Sequence, residues 1–433
     1  MIFMIVGIDA SRAFLKDRTG IEEYSYQVIK NLRDKLDGQQ VVLYVKKNST
    51  NYDVKSRGDH VALREPNTNT RTINGIEFPD NWKIKVINFP RFWTQLGLSL
   101  EMLFHPVDVL FIPAHTVPLI HPARNVSLFS LALIIQKLLK SFGIGTNYNQ
   151  HSDAGGPKNT IVTIHGLEYE FCPKAYSFWE KLYMRSSIKK SCLWARTIIA
   201  VSQNTKNDII NLYKVPAEKI EVIYEGYENN DKFPISNFQS ISNNKNPNVY
   251  TKYNILNTKY LLFIGRLEER KNVVGIIKSF EILKEQYKIS HKLVLAGSPG
   301  FGYEKIKNEI ANVNCVKDII ETGFVSTEEK NELLKNADIF LFPSFYEGFG
   351  LPILEAQNAG VPVVTSRVSS LPEVADGSTL LIDPNNAEEI ADAVYRIISD
   401  EETKKDLVQK GLENIKRFSW EKCATEIAKI IKK

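Results

Sequence analysis

The sequence predicts an α/β protein of two Rossmann-like halves, each a parallel sheet flanked by helices, facing each other across a cleft. Three observations carry this prediction. Apolar runs of strand length alternate with helical patterns through the first half, which is the signal for βαβ units. A polar stretch from 229 to 258, holding Asn229, Asn230, Asn243, Asn244, Asn246 and Pro247, interrupts the pattern as a linker does. The alternation then restarts, and 433 residues are enough to bury two cores. The expected divisions are a first domain over 1–232, a linker over 233–258, a second domain over 259–417 and a last helix over 418–433.

Strands are expected at 2–8, 40–45, 83–88, 108–112, 160–164, 197–201 and 220–223. The apolar opening of the chain lacks a basic flank and a small-residue cleavage site, so it reads as the first strand rather than a signal peptide. Amphipathic stretches at 21–36 and 176–190 supply helices, and Ser202 and Asn204 offer N-cap chemistry before a helix at 204–213. A long connection separates Pro113 from His165. Within it, residues 126–140 are helical in pattern, broadly apolar and closed by lysines. That pattern suits a helix in a membrane interface, a buried helix or a contact with a second copy. The following segment, Gly143 to Gly156, is polar. Beyond the linker, strands are expected at 259–264, 292–296, 318–321, 338–342 and 361–364, and Ser419 is the N-cap of the last helix.

Composition is that of an ordinary globular chain, 43% hydrophobic and 24% charged. A net charge of +5 suits an anionic substrate or an acidic membrane surface but is too weak to argue for nucleic acid, and no nucleic-acid motif is present. Cys172, Cys192, Cys315 and Cys423 are scattered, without metal-ligand spacing, and read as reduced thiols. No run reaches the ~18 apolar residues of a spanning helix. The expected location is cytoplasmic, peripheral to the inner face of the membrane if 126–140 binds lipid.

The most informative stretch runs from Phe342 to Glu355. Glu347 lies in a glycine-rich turn and Glu355 in the helix that follows, where Pro352 suits the first turn and Gly360 the exit. Gly348 and Gly350 let backbone N–H groups approach a ligand at a helix N-terminus, a natural seat for phosphate. An anion seat with carboxylates beside it is what a nucleotide-activated sugar needs. The spacing Glu347 to Glu355, with Gly348, Gly350, Leu351 and Pro352 between, resembles the E-x7-E signature of retaining glycosyltransferases of the GT-B fold, the family called group 1 or family 4. The resemblance spans almost the whole chain and is strongest from 259 to 384. It implies a GT-B fold whose last helix crosses back to the first domain. It also implies that Glu347 contacts the sugar hydroxyls, that Gly350 and Leu351 supply backbone donors, and that Gly348 and Phe349 belong to the same donor-binding turn.

Further segments join this one. Arg266 and Lys271 lie beyond the carboxyl end of the first strand of the second half, where open α/β sheets bind ligands. They read as a solvated basic helix cap or as cations for departing phosphate oxygens. Their segment resembles the family's G-R-L-x-x-x-K-N element, which implies that they hold the donor diphosphate. Glu355 offers two oxygens to a ribose cis-diol, or stands on the helix surface. His165 follows a strand, where a structural role is common. Its segment resembles the family's T-x-H-D-L, which implies that it faces the transferred sugar, although Gly166 stands where aspartate is usual. Thr19 and Gly20 begin a helix with free N–H groups or form an ordinary turn. They resemble the T-G element of bacterial mannosyltransferase members. The segment from Gly323 is similar to the one whose backbone contacts the base in this family, which implies that Val325 flanks the base; otherwise it packs as an ordinary apolar residue. No two aspartates stand two apart, so the D-x-D metal clamp of the other major glycosyltransferase fold is missing. A metal-independent reaction without cofactor is expected.

The expected function is retaining transfer of a hexose from a nucleotide diphosphate sugar to a glycan or polyprenyl-linked acceptor in cell-surface polysaccharide synthesis. GDP-mannose is the favoured donor, on the first-loop resemblance alone, and a UDP-sugar is the other candidate. A nucleotide-sugar epimerase or phosphorylase of the same fold, or a non-catalytic nucleotide-sugar binder, are the alternatives.

Overall fold

The computed structural model describes residues 4–15, 18, 20–46, 71–73, 75–89, 93–118, 159–227, 252, 253, 255 and 258–433. Thr19, the stretches 126–140 and 143–156, and most of the linker lie outside the described residues.

The first domain contains β1 (Ile5–Asp9), α1 (Gly20–Leu32), β2 (Gln40–Lys46), β3 (Arg71–Ile73), β4 (Ile76–Phe78), β5 (Trp82–Ile87), α2 (Leu98–Phe104) and β6 (Val109–Ile112). It continues with β7 (Thr160–Ile164), α3 (Glu168–Phe171), α4 (Phe178–Trp194), β8 (Thr197–Ala200), α5 (Gln203–Tyr213) and β9 (Ile220–Val222). Among the described residues, seven strands form one parallel sheet in the order β5-β2-β1-β6-β7-β8-β9. β6 and β7 are buried at every position; β6 reads as an unbroken apolar run, and β7 is broken only by Thr160 and Thr163.

The second domain contains β10 (Tyr260–Ile264), α6 (Val273–Glu285), β11 (Lys292–Ala296), α7 (Tyr303–Asn312), β12 (Ile319–Gly323), α8 (Thr327–Lys335), β13 (Ile339–Phe342) and α9 (Leu351–Asn358). After these come β14 (Val363–Ser366), α10 (Leu371–Ala375), β15 (Leu380–Ile382), α11 (Ala387–Ser399), α12 (Glu401–Asn414) and α13 (Trp420–Lys432). Its six strands are also parallel, in the order β12-β11-β10-β13-β14-β15.

Where structure and sequence expectation differ, the differences have physical causes. β15 and the antiparallel β3–β4 hairpin are only three residues per strand, too short for a periodic signal. Helix α1 ends at Leu32 rather than 36, yet Leu36 is fully buried, so helical apolar spacing persists past the helix. Helix α4 starts at a capping box between Ser177 and Glu180 and runs on to Trp194.

Helix α13 crosses back to the first domain. Ser419 Oγ accepts from the Lys422 N–H at 3.0 Å, and the Trp420 ring lies 5.8 Å from that of Tyr24 on α1. A single core cluster joins Val28 and Leu32 of α1 to Ile427 and Ile431 of α13, and reaches Leu354 and Leu412 of the second domain. Among the described residues, no helix is long and apolar enough to cross a membrane.

Candidate active site

Each sheet has a point where successive strands depart in opposite directions: at β1, between β2 and β6, and at β10, between β11 and β13. Open sheets bind ligands in the crevice such a reversal leaves. Here both crevices open into one cavity of about 1190 Å³ between the domains. Gly20, His165 and Glu225 line it from the first domain; Arg266, Lys271, Glu347 and Glu355 line it from the second.

Glu347 is held by two cations. Its Oε1 lies 2.5 Å from Lys271 Nζ, and its Oε2 lies 2.9 Å from the Arg270 guanidinium. Burial alone would push this carboxyl up, but the charges of Arg270 and Lys271 outweigh it and hold the pKa at about 2. Burial and the neighbouring Arg270 pull the Lys271 pKa down, with Glu347 opposing them. Lys271 also sits 4.8 Å above the Phe342 ring. Arg270 does more than pair. It donates to the Tyr346 carbonyl at 2.8 Å and to Glu268 at 2.8 Å, clamping the 345–347 strand exit onto the 268–271 loop.

The turn before α9 is fixed from both sides. Ser369 Oγ accepts from the Glu347 N–H at 3.1 Å, and Ser370 Oγ donates to the Glu347 carbonyl at 2.9 Å. From the first domain, Ser202 Oγ donates to the Gly348 carbonyl at 2.7 Å. Contact at Gly348 is so close that an added Cβ would stand 1.6 Å from the His165 carbonyl oxygen. No side chain fits there. Gly350, the N-cap of α9, has φ +128°, and Pro352 follows in the first turn. Tyr346 ties the lobes further: its hydroxyl accepts from the Leu167 N–H at 3.1 Å and donates to Asp208 at 2.8 Å.

The remaining candidate residues divide. Arg266 lines the cavity, is exposed, and makes no ion pair among the described residues. Glu355 lines the cavity and pairs with Lys330 at 2.7 Å. Gly20 is the first residue of α1, with nothing within 4 Å of an added Cβ. Leu351 opens α9, partly buried at the cavity wall. The ring of Phe349 turns into the core against Phe418 (5.6 Å) and Tyr224 (6.1 Å), so only its backbone is available to a donor. Val325 is not part of the cavity wall and packs half-buried against the second-domain core, its apolar reading. His165 lines the cavity, but both ring nitrogens are engaged, one by the Pro113 carbonyl (2.9 Å) and one by Glu225 (3.0 Å). The sequence reading missed Arg270, Tyr346 and Glu225. Arg270 adjoins Lys271 in the same segment, but its partner Tyr346 lies 76 residues away and leaves no local trace.

Among the described residues, no group of three or more His, Cys, Asp or Glu side chains stands where it could hold a metal ion.

The fold defines the class. Sucrose-phosphate synthase from Thermosynechococcus elongatus superposes with a TM-score of 0.65 at 16% identity, covering 99% of this chain and 98% of that one. HepE from Anabaena, solved with UDP and glucose, gives 0.63 at 16% identity over the whole of both chains. The molecule is therefore a GT-B protein. Residues 247–414 match the family described as glycosyl transferases group 1, and residues 18–230 match glycosyltransferase family 4. The chain is 32% identical over 269 residues to the O-antigen chain mannosyltransferase B of Escherichia coli, covering 62% of this chain and 69% of that one. A capsular polysaccharide biosynthesis glycosyltransferase of Staphylococcus aureus is 26% identical over 71% of this chain and 83% of its own. The chain belongs to the group 1, family 4 glycosyltransferases.

Proposed function

We propose that the protein transfers mannose from GDP-mannose to a glycan or lipid-linked glycan acceptor, keeping the anomeric configuration, in the assembly of a cell-surface polysaccharide. The observation that carries this is the ionised Glu347, held between Lys271 and Arg270 at the interlobe cavity, one turn ahead of the cavity-lining start of α9. The likeness to O-antigen mannosyltransferases supports the choice of sugar.

Arg266, Lys271 and the start of α9 receive the donor diphosphate, Glu347 orients the sugar hydroxyls, and Glu355 accepts from the ribose diol. As the bond from the anomeric carbon to the diphosphate oxygen breaks, the electron pair stays on the diphosphate. The acceptor hydroxyl adds to the same face and its proton passes to the departing diphosphate oxygen. No metal takes part in this scheme. Glu347 is a poor nucleophile here, since both its oxygens are tied to cations. This supports a single-step route, and trapping a glycosyl adduct on Glu347 would overturn it.

A panel of nucleotide sugars, read by thermal stabilisation and then by transfer, tests the proposal. GDP-mannose is expected to raise Tm most and to be turned over, ahead of UDP-glucose. Stabilisation by no nucleotide sugar, or undiminished turnover in a folded Lys271→Ala protein, rejects it.

A further inference from the structure

Glu225 lies just past β9 on the cavity wall, with its side chain about as buried as that of His165, each 9% exposed. The proton count at this pair is fixed by geometry. The Pro113 carbonyl can only accept, so His165 Nε2, 2.9 Å away, carries a hydrogen. Nδ1 then stands 3.0 Å from Glu225 Oε1. A bare carboxylate facing a bare ring nitrogen would repel, so the contact is bonding only with one proton between them.

We propose that Glu225 is a positioning residue for the transfer reaction: by sharing that proton with Nδ1 it locks the His165 ring on the first-domain wall of the cleft. The proposal rests on the reading that His165 faces the transferred sugar. The neighbours offer no substitute for Glu225. The Tyr24 ring abuts His165 edge-on at 4.5 Å, and its hydroxyl is taken by Thr163. His115, ring to ring at 5.3 Å, is kept neutral by burial, by His165 and by Arg12, which itself pairs with Glu22. Cys423, beside Glu225, is kept as a thiol by burial. The lock matters because the His165 backbone abuts Gly348, next to Glu347, so the ring it carries is held on the wall facing that turn.

The test compares wild type, Glu225→Ala and Glu225→Gln by steady-state transfer across pH and by NMR of the intact chain carrying 15N-histidine. Glu225→Ala is expected to lower kcat on the order of 10²-fold with donor KM little changed, as misplacement of a reacting-site group does. Glu225→Gln, whose amide can donate to Nδ1, is expected to recover most of the rate but to alter the pH profile. In NMR, the His165 Nδ1 signal, assigned by its loss in His165→Asn, is expected to report a bound or shared proton in wild type and none in Glu225→Gln. Unchanged Nδ1 signals in Glu225→Gln overturn the proposal, as does an unchanged pH profile in it. Should Glu225→Ala unfold, the isosteric Gln variant decides alone. Absence of transfer from every donor in wild type sinks the functional reading instead, and the NMR arm still judges the pair.

Discussion

Two arginines in one loop carry different work. Arg270 is bonded to Glu347, Glu268 and the Tyr346 carbonyl, whereas Arg266 is exposed and unpaired among the described residues. Removing Arg270 leaves a mostly buried carboxylate half-compensated, so Arg270→Ala is expected to cost on the order of 3 kcal/mol in urea unfolding and to abolish transfer. Arg266→Ala should abolish transfer with Tm unchanged. Equal stability of the two variants would contradict this division. Glu347 also makes stability depend on pH. Its pKa falls from 4.5 to about 2 on folding, so its contribution is present above pH 4.5 and is lost as pH drops towards 2. The full effect is roughly 3 kcal/mol. Glu347→Gln should flatten the acid limb of a stability-against-pH curve over that window. Glu347 and Lys271 were legible because each sits in a motif beside a strand end. Arg270, Glu225 and Tyr346 were not, since a side chain's importance there comes from a partner brought close only by folding.

Among the elements, the turn into α9 is the most constrained. Gly348→Ala would drive a methyl into the His165 carbonyl, so the lobes must part or the turn must shift. Loss of transfer on the order of 10²-fold is expected, with each domain still folded by circular dichroism. A milder test is the cap of α13: Ser419→Ala should cost about 1 kcal/mol, read in thermal unfolding. Most elements were readable in advance, because a strand buried on both faces leaves a continuous apolar run and a helix leaves caps. Ser202, Ser419 and the run at 109–112 illustrate this. The run at 380–382 failed because three residues give no period, and the α1 boundary failed because burial at Leu36 outlasts the helix.

At the level of the whole molecule, a shared apolar cluster joins the lobes, and specific polar groups set their register. Tyr346 bridges to Leu167 and Asp208, and Glu373 accepts from the Gln203 and Asn204 N–H groups at the start of α5. Tyr346→Phe strands a buried N–H, a cost of about 1–3 kcal/mol taken from interlobe docking. An increased radius of gyration by small-angle scattering is expected in the variant, and identical scattering curves would count against the latch. The two-sheet plan was visible from the linker, while the contacts that set one lobe against the other were not.

The return of α13 to α1 has a practical corollary for chain integrity. Made as two polypeptides divided within 233–250, the later piece still carries the segment that completes the interior of the earlier one. The halves should therefore reassemble when co-expressed and purify as one particle. A later piece stopped short of Trp420 should be unable to rescue its counterpart.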